Sequence, residues 1–170
     1  MSVAHKPAEL VILFADVCGS TALYERLGDA QASACVGECL RRLAESGSAH
    51  GGELVKTIGD EILMVFKEPD AAAAAARDMH LAIADMPPQG GTALAIHVGF
   101  HIGGAVRRNG DAYGDAVNVA ARLVSLAKGG QSLTTASTLR MLAPEWDRVA
   151  RQIDDTRIRG KAGKVTLFEL

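Results

Sequence analysis

The positions of the apolar residues predict an alternation of strands and helices. Residues 9–15 form a near-continuous apolar run, which is typical of a central strand buried on both faces. Residues 22–50 repeat their apolar positions with the helical period, and Gly28 divides this stretch into a short and a long helix. Two further runs, 52–55 and 62–66, are short and rich in β-branched or aromatic residues and therefore predict strands.

The second half of the chain continues the alternation. An alanine-rich helix is predicted for residues 69–84, a strand with alternating apolar positions for 93–106, and a helix for 116–127. The last predicted elements are a strand at 131–135, a short helix at 136–142 and a closing strand at 165–170.

The order of these elements predicts the fold class. It runs β-α-α-β-β-α-β-α-β-α-β-β, which contains a βαββαβ core with added elements. Such a core folds into a sheet with helices packed on one face. We therefore expect an α+β fold, a ferredoxin-like βαββαβ sandwich with additional strands and helices.

Length and charge limit the possible functions. A chain of 170 residues suits one domain with its own core, so we expect a single domain over residues 1–170, with residues 1–8 as a flexible N-terminus. The net charge of -2 provides no basic field for nucleic acid or an anionic membrane surface. The first residues lack the apolar segment of a signal peptide, and no apolar run reaches transmembrane length. These observations predict a cytoplasmic protein without membrane contact from this segment.

The cysteines and the HxxxH pattern do not predict a metal site. There are three cysteines, Cys18, Cys35 and Cys39, and an odd count at these spacings is not a disulfide framework. The last two lie one turn apart in an apolar helix and are expected to be buried apolar residues. His97 and His101 lie in a predicted strand, where they stand about 13 Å apart, too far to share an ion.

The segment 56–61 connects two predicted strands and carries unexpected charges. Gly59 and Asp60 mark a turn, so the unit is a β-hairpin. Strand alternation places Leu54, Lys56 and Ile58 on one face. A lysine on a mostly apolar face and a carboxylate at the hairpin tip call for partners or a ligand. The alternative is an ordinary turn aspartate and a lysine that reaches solvent.

The segment after the first strand combines a carboxylate with an anion site. Asp16 ends the strand, and Gly19, Ser20 and Thr21 form a turn in which Ser20 or Thr21 can cap the next helix. The first N–H groups of a helix bind phosphate oxygens, so these three residues are candidates for substrate binding. Because a carboxylate repels an anion unless a cation bridges them, Asp16 indicates a divalent metal ion that holds phosphate oxygens. A simple helix cap is the alternative.

The helix predicted at 116–127 carries a second candidate group. Asn118 and Arg122 are four residues apart and share one face of a helix that is otherwise rich in alanine and valine. An asparagine and an arginine in this arrangement suit an oxyanion clamp, although Arg122 is also compatible with a plain surface position. A polar loop at 107–115 precedes this helix, and a basic, glycine-punctuated turn follows at 156–164.

Five segments together resemble one known family. In order they are residues 14–21, 56–60, 111–114, 117–122 and 159–161. They are similar to the metal, hairpin, base-selecting, transition-state and phosphate-binding motifs of the class III nucleotidyl cyclase catalytic domain, which makes cyclic AMP or cyclic GMP. The resemblance extends from about Val11 to Phe168 and is strongest to bacterial adenylate cyclases.

The resemblance implies a reaction at two metal ions. Asp16 and Asp60, with the backbone carbonyl of Val17, are expected to hold two Mg²⁺ or Mn²⁺ ions that are completed by phosphate oxygens of the substrate. Arg122 is expected to stabilise the transition-state phosphoryl oxygens and Asn118 to position the ribose. By the same resemblance, Lys161 binds the terminal phosphates.

The base-selecting residues favour ATP. Adenine offers an acceptor at N1 and a donor at N6, whereas guanine reverses this pattern at N1 and O6. Lys56 only donates and Asp111 only accepts, so together they match adenine. Asp115 lies close to Asp111 in the sequence, but the spacing to Gly114 and Asn118 favours Asp111 as the base-selecting carboxylate.

The family's sites lie between two subunits, one of which supplies the metal carboxylates and the other the base-selecting and transition-state groups. This chain carries both sets, so we expect a homodimer with two equivalent sites. Such domains usually accompany regulatory modules. Two alternatives remain: a guanylate cyclase or diguanylate-type relative that uses GTP, and a non-catalytic nucleotide-binding module. Lys56 and Asp111 argue against the first alternative, and the full set of charged groups argues against the second.

Overall fold

The computed structural model describes residues 7–170, and the expected flexible N-terminus at 1–8 falls mostly outside this range. Ala8 already pairs with Ala105 in the sheet. The strands are β1 (Ala8–Val17), β2 (Glu53–Ile58), β3 (Glu61–Phe66), β4 (Ile96–Arg108), β5 (Asp111–Tyr113), β6 (Ser132–Thr135), β7 (Arg151–Arg157) and β8 (Lys164–Glu169). The helices are α1 (Ser20–Leu27), α2 (Asp29–Ala49), α3 (Pro69–Ala84), α4 (Asp115–Leu126) and α5 (Ala136–Leu139), with a 3₁₀ helix at Pro144–Arg148.

The strands of the described chain form one sheet in the order β2-β3-β1-β4-β6-β8-β7, and β5 pairs with β4 off this path. β1 lies between β3 and β4 and is antiparallel to both. Its residues 11–15 are all buried, as the apolar run predicted. The α+β class is confirmed. The element order adds β5 and the 3₁₀ helix to the predicted one, and β7 is a strand for which the sequence analysis gave no residue range.

Helices cover both faces of the sheet. On one face Leu13 and Met64 pack in a core cluster with residues of α2 and α3. On the other face Phe14 and Leu63 pack with Ala120 of α4. The prediction of helices on one face therefore holds for α2 and α3 but is wrong for α4. The physical reason is that β1 is apolar on both faces, so each face needs a covering layer.

Gly99 in β4 permits α4 to lie close against the sheet. A Cβ atom at this position would stand 2.3 Å from the backbone nitrogen of Val124. No side chain fits at that distance. Because Gly99 has none, α4 can pack directly against the backbone of β4. This close contact positions the helix that carries Asn118 and Arg122.

A β-bulge in β2 changes the predicted faces of the hairpin. The register shifts between Leu54 and Lys56, so that Leu54 pairs with Met64 and Lys56 with Leu63. Since consecutive residues of β3 point to opposite faces, Leu54 and Lys56 also do. The prediction that these two residues share a face is therefore wrong. The bulge places Lys56 on the face covered by α4.

The predicted polar loop at 107–115 is a β-hairpin. β4 extends to Arg108, and β5 returns along it after a turn at Asn109 and Gly110, with φ of 53° and 74°. Positive φ at both central residues is typical of the tight turns that Asn-Gly pairs favour. The hairpin fixes Asp111 at the start of β5.

Several residues outside the charged cluster are buried in the core or pack against it. Cys35 and Cys39 are buried free thiols within apolar clusters, as predicted, and Trp146 packs against the core that includes α3. His101 is buried and hydrogen-bonded to the Thr135 hydroxyl at 2.9 Å.

In the range 7–170, no helix is both long enough and apolar enough to cross a membrane.

Candidate active site

The end of β1 and the tip of the β2–β3 hairpin form an acidic cluster. Asp16 pairs across the sheet with Glu61 of β3 and His97 of β4. The backbone N–H of Val17 donates to the carbonyl oxygen of Asp60 at 3.1 Å, which joins the hairpin tip to β1. The two predicted metal carboxylates, Asp16 and Asp60, are therefore brought together.

Burial and mutual repulsion govern the electrostatics of this cluster. Burial, followed by the charge of Asp60, raises the pKa of the Asp16 carboxyl. Burial, followed by the charges of Asp16 and Asp60, raises the pKa of Glu61 to about 7. Carboxylates held this close repel one another, so a cation bound among them would be stabilised.

The donor set fits a divalent ion that also binds substrate. Asp16 Oδ1 is buried and has no hydrogen-bond partner within the described chain. Such an atom is costly unless a cation or a donor reaches it. No group of three or more His, Cys, Asp or Glu side chains in residues 7–170 is arranged to hold a metal ion by itself. Two carboxylates completed by phosphate oxygens, which is how Mg²⁺ usually binds, fit this arrangement.

The turn after β1 differs from the predicted helix cap. Gly19 precedes α1 with φ of 70°, and no side chain caps the helix. The capping prediction for Ser20 or Thr21 is therefore wrong, because the Ser20 hydroxyl donates instead to Asp60 Oδ2. Ser20 thus connects the turn to the acidic cluster, while Thr21 is exposed at the first turn of α1.

His97 is a member of this cluster that the sequence reasoning missed. Its Nε2 lies 2.8 Å from Asp16 Oδ2, and its Nδ1 lies 2.8 Å from the carbonyl oxygen of Val124. The HxxxH pattern was considered only as a shared metal site, which left the role of His97 alone unconsidered. Only the pairing of β1 with β4, which sets His97 opposite Asp16, reveals the contact.

The predicted base-selecting residues meet on the face that α4 covers. Lys56 Nζ lies 2.6 Å from Asp111 Oδ2. The Lys56 ammonium, followed by the backbone N–H of Ala112, lowers the pKa of Asp111. A donor-only and an acceptor-only group thus stand side by side at a half-exposed position.

Asn118 and Arg122 line one cavity of about 980 Å³. Both residues are exposed on the same face of α4, as the i, i+4 spacing predicted. The remaining walls come from the N-terminus of α4 and from the end of β7 and the turn after it. They comprise Gly114, Asp115, Ala121, Arg157, Ile158, Arg159 and Gly160.

This cavity has a strongly cationic lining. Arg157 and Arg159 add two guanidinium groups to that of Arg122. Arg159 belongs to the segment 159–161 that resembles the phosphate-binding motif but was given no role of its own, and Arg157 was not named from the sequence. The signal that could have identified them is the basic turn at 156–164. Lys161, the predicted phosphate ligand, forms an ion pair with Asp115 at the cavity wall.

The two groups of predicted residues do not converge within one chain. The lining of the 980 Å³ cavity includes neither Asp16 nor Asp60. The acidic cluster lies at the end of β1, whereas Arg122 points outward from α4. The described chain therefore presents an acidic half-site and a cationic half-site.

The comparison with known proteins identifies the family. The sequence model of the protein family described as the adenylate and guanylate cyclase catalytic domain matches residues 3–170. The chain belongs to this family of nucleotidyl cyclase catalytic domains, and the resemblance drawn from the five segments is confirmed.

Individual relatives agree with this result. An adenylate cyclase of Glutamicibacter nicotianae is 36% identical over 166 residues, which are 96% of this chain and 40% of that protein. The guanylate cyclase domain from Catenaria anguillulae in complex with GTP has a TM-score of 0.83 at 23% identity, covering 98% of this chain and 97% of that one. An adenylate cyclase of Trypanosoma brucei in its monomeric state has a TM-score of 0.81 at 23% identity, covering 95% and 88%. The two structural likenesses show the fold.

Proposed function

We propose that this domain is an adenylate cyclase that converts ATP to 3′,5′-cyclic AMP and pyrophosphate. The observation that carries the choice of substrate is the Lys56–Asp111 pair. The similarity to the Glutamicibacter nicotianae adenylate cyclase supports it. The chain spans about 40% of the length of that relative. What a longer protein containing this domain would do, and how it would be regulated, is therefore also a proposal.

The Lys56–Asp111 pair matches the hydrogen-bonding edge of adenine. Lys56 donates to N1, and Asp111 accepts from the N6 amino group. Guanine would place its N1–H donor against the ammonium and its O6 acceptor against the carboxylate. A site built to hydrogen-bond one pattern rejects the reversed pattern strongly, because the polar groups are then left unpaired.

The reaction joins the ribose 3′-oxygen to the α-phosphorus and breaks the bond from that phosphorus to the bridging oxygen of pyrophosphate. The 3′-hydroxyl loses its proton, and pyrophosphate leaves with the bonding electron pair. Divalent ions, Mg²⁺ or Mn²⁺, would make the 3′-hydroxyl more acidic and neutralise the triphosphate when bound. Asp16 and Asp60 would hold them, with the carbonyl of Val17, while Gly19, Ser20 and Thr21 line the phosphate side.

The cationic half-site serves the transition state. Arg122 faces the negative charge that develops on the transferred phosphoryl group, and Asn118 orients the ribose. When substrate binds, Lys161 leaves its ion pair with Asp115 and binds the terminal phosphates instead. Arg157 and Arg159 add positive charge along the path of the triphosphate.

A homodimer completes the site. The acidic half-site of one chain faces the cationic half-site of its partner, and twofold symmetry yields two equivalent sites. Arg122 and Asn118 are exposed in the single chain, which suits residues that act on a partner's substrate. Leu54 and Ile58 in β2 and Tyr113 in β5 are 40%, 46% and 49% exposed. Their apolar surface suits an interface between subunits.

The substrate assignment is tested by comparing turnover of ATP and GTP at saturating Mn²⁺. We expect cyclic AMP and pyrophosphate in equal amounts and a kcat/KM for GTP lower by about 10² or more. A preference for GTP would contradict the reading of Lys56 and Asp111. The absence of any cyclic nucleotide from a verified dimer would instead indicate a non-catalytic nucleotide-binding module.

A further inference from the structure

We propose that His97 is a positioning residue that assigns separate tasks to the two oxygens of Asp16. It holds Oδ2 and thereby directs Oδ1 toward the metal ion. The inference rests on the proposed metal role of Asp16. The residue that orients this ligand lies outside the five segments that resemble the family.

Helix α4 fixes the orientation of the His97 ring. Nδ1 lies 2.8 Å from the carbonyl oxygen of Val124 and 3.1 Å from that of Ala127, at the C-terminal end of α4. Backbone carbonyls only accept hydrogen bonds, so Nδ1 is the donor in both contacts. The side chain is 18% exposed, which leaves the ring little freedom to rotate.

The oriented ring then fixes the carboxylate. Nε2 lies 2.8 Å from Asp16 Oδ2, a normal hydrogen-bond distance, and because Nδ1 already carries a proton, Nε2 donates to this carboxylate when the ring is the doubly protonated imidazolium. Oδ1 of the same carboxylate is buried and has no partner within the described chain. One oxygen is thus bound to the protein while the other remains available, which is the arrangement that a carboxylate ligand with a single coordinating oxygen requires.

The acidic neighbours make this support necessary. Asp60 and Glu61 stand beside Asp16 at the end of β1, so the three carboxylates repel one another. Without a donor on Oδ2, rotation about χ2 would let Asp16 present either oxygen and move away from Asp60. Hydrogen bonds that orient metal ligands are typically worth about 10- to 100-fold in metal affinity.

Two substitutions separate the two contacts of His97. In His97→Asn the amide nitrogen can take the place of Nδ1 and keep the contact with α4, but nothing reaches Asp16. In His97→Gln the longer side chain can place its amide nitrogen near the position of Nε2 and keep the donor to Asp16. The pair therefore distinguishes orientation of the carboxylate from general support of the fold.

The experiment measures Mn²⁺ affinity, by paramagnetic resonance of free Mn²⁺, in the presence of a non-hydrolysable ATP analogue. We expect His97→Asn to weaken Mn²⁺ binding about 10- to 100-fold and His97→Gln to recover most of that loss. The melting temperature of each variant is recorded alongside. Equal weakening in both variants, or unchanged affinity in His97→Asn, would overturn the proposal.

Asp16→Ala separates this inference from the proposed function. If Asp16→Ala leaves Mn²⁺ affinity unchanged, the metal role of Asp16 fails and the inference falls with it. If Asp16→Ala loses Mn²⁺ and His97→Asn does not, only the inference fails. Should His97→Asn not fold, ¹⁵N-imidazole spectra of the wild-type domain decide: the His97 Nε2 hydrogen bond must persist when Mg²⁺ and the analogue bind, and its loss would refute the role.

Discussion

Lys56 Nζ and Asp111 Oδ2 lie 2.6 Å apart, joining β2 to the short hairpin strand β5. The bulge in β2 makes this contact possible, because it turns Lys56 to the face of the sheet opposite to that of Leu54. In a regular strand Lys56 would lie on the same face as Leu54 and point away from Asp111, so the ion pair depends on the bulge.

The first prediction concerns base selection. Lys56→Glu replaces the donor to adenine N1 with an acceptor and sets two carboxylates side by side. We expect kcat/KM for ATP to fall about 10²- to 10³-fold and the ratio of GTP to ATP turnover to rise at least about tenfold. The matched control, Lys56→Met, removes the donor without reversing it and should lower ATP turnover without raising that of GTP. Unchanged ATP turnover in Lys56→Met would exclude the base contact.

The second prediction concerns the ion pair between Lys161 and Asp115. Asp115→Asn frees the lysine and removes a negative charge from the cavity that receives the triphosphate. Exposed pairs are worth about 0.2–1 kcal/mol, so KM for ATP should fall up to about fivefold. Asp147→Asn, an exposed charge in the 3₁₀ helix, is the control for net charge. A rise in KM in Asp115→Asn would mean that this carboxylate contributes to binding.

The third prediction concerns the seating of α4. Gly99→Ala forces a methyl group into the space of the Val124 backbone, 2.3 Å away. Overpacking of this kind costs about 1–3 kcal/mol and shifts the helix that carries Arg122. Gly104→Ala is the control on the same strand, since its nearest neighbour would be 3.7 Å away. The free energy of unfolding, measured by chemical denaturation, and the cyclase turnover should both be lower in Gly99→Ala than in Gly104→Ala. Equal stability of the two variants would contradict this prediction, because it would show that α4 can move to accommodate the methyl group.

The fourth prediction concerns pH. Burial lowers the pKa of His101 to about 4 from the ordinary 6.5. Between these values the unfolded chain binds a proton that the folded domain excludes, so the free energy of unfolding decreases as pH falls. This residue should account for about 2 kcal/mol of the loss between pH 7 and 5. His101→Asn should flatten the acid limb by that amount, and an identical slope in both proteins would refute the assignment.

Much of this architecture follows from local patterns. The buried run of β1, the break between α1 and α2 at Gly28, and the shared face of Asn118 and Arg122 each result from periodicity or turn chemistry within a few residues. The family resemblance predicted that Lys56 and Asp111 serve the same base, whereas their direct ion pair was not predicted and the predicted face of the strand was wrong.

Long-range contacts account for what the sequence did not reveal. The bulge at Val55 depends on the register between two strands, and the His97 contact depends on the pairing of β1 with β4 across 81 positions. Ser20 resembled a helix cap because its neighbours on the chain favour one, yet it bonds to Asp60, 40 positions away. The hairpin at Asn109 and Gly110 is a different case, because its turn signal was present locally and was interpreted as a loop.

The central claim is that each active site combines the acidic half of one chain with the cationic half of its partner. The most direct measurement mixes Asp16→Ala with Arg122→Ala, each expected to be inactive alone, and confirms by mass spectrometry that heterodimers form. Random exchange gives about half heterodimers with one intact site each, so the mixture should recover about a quarter of wild-type cyclic AMP production. Verified heterodimers without activity would contradict a shared site.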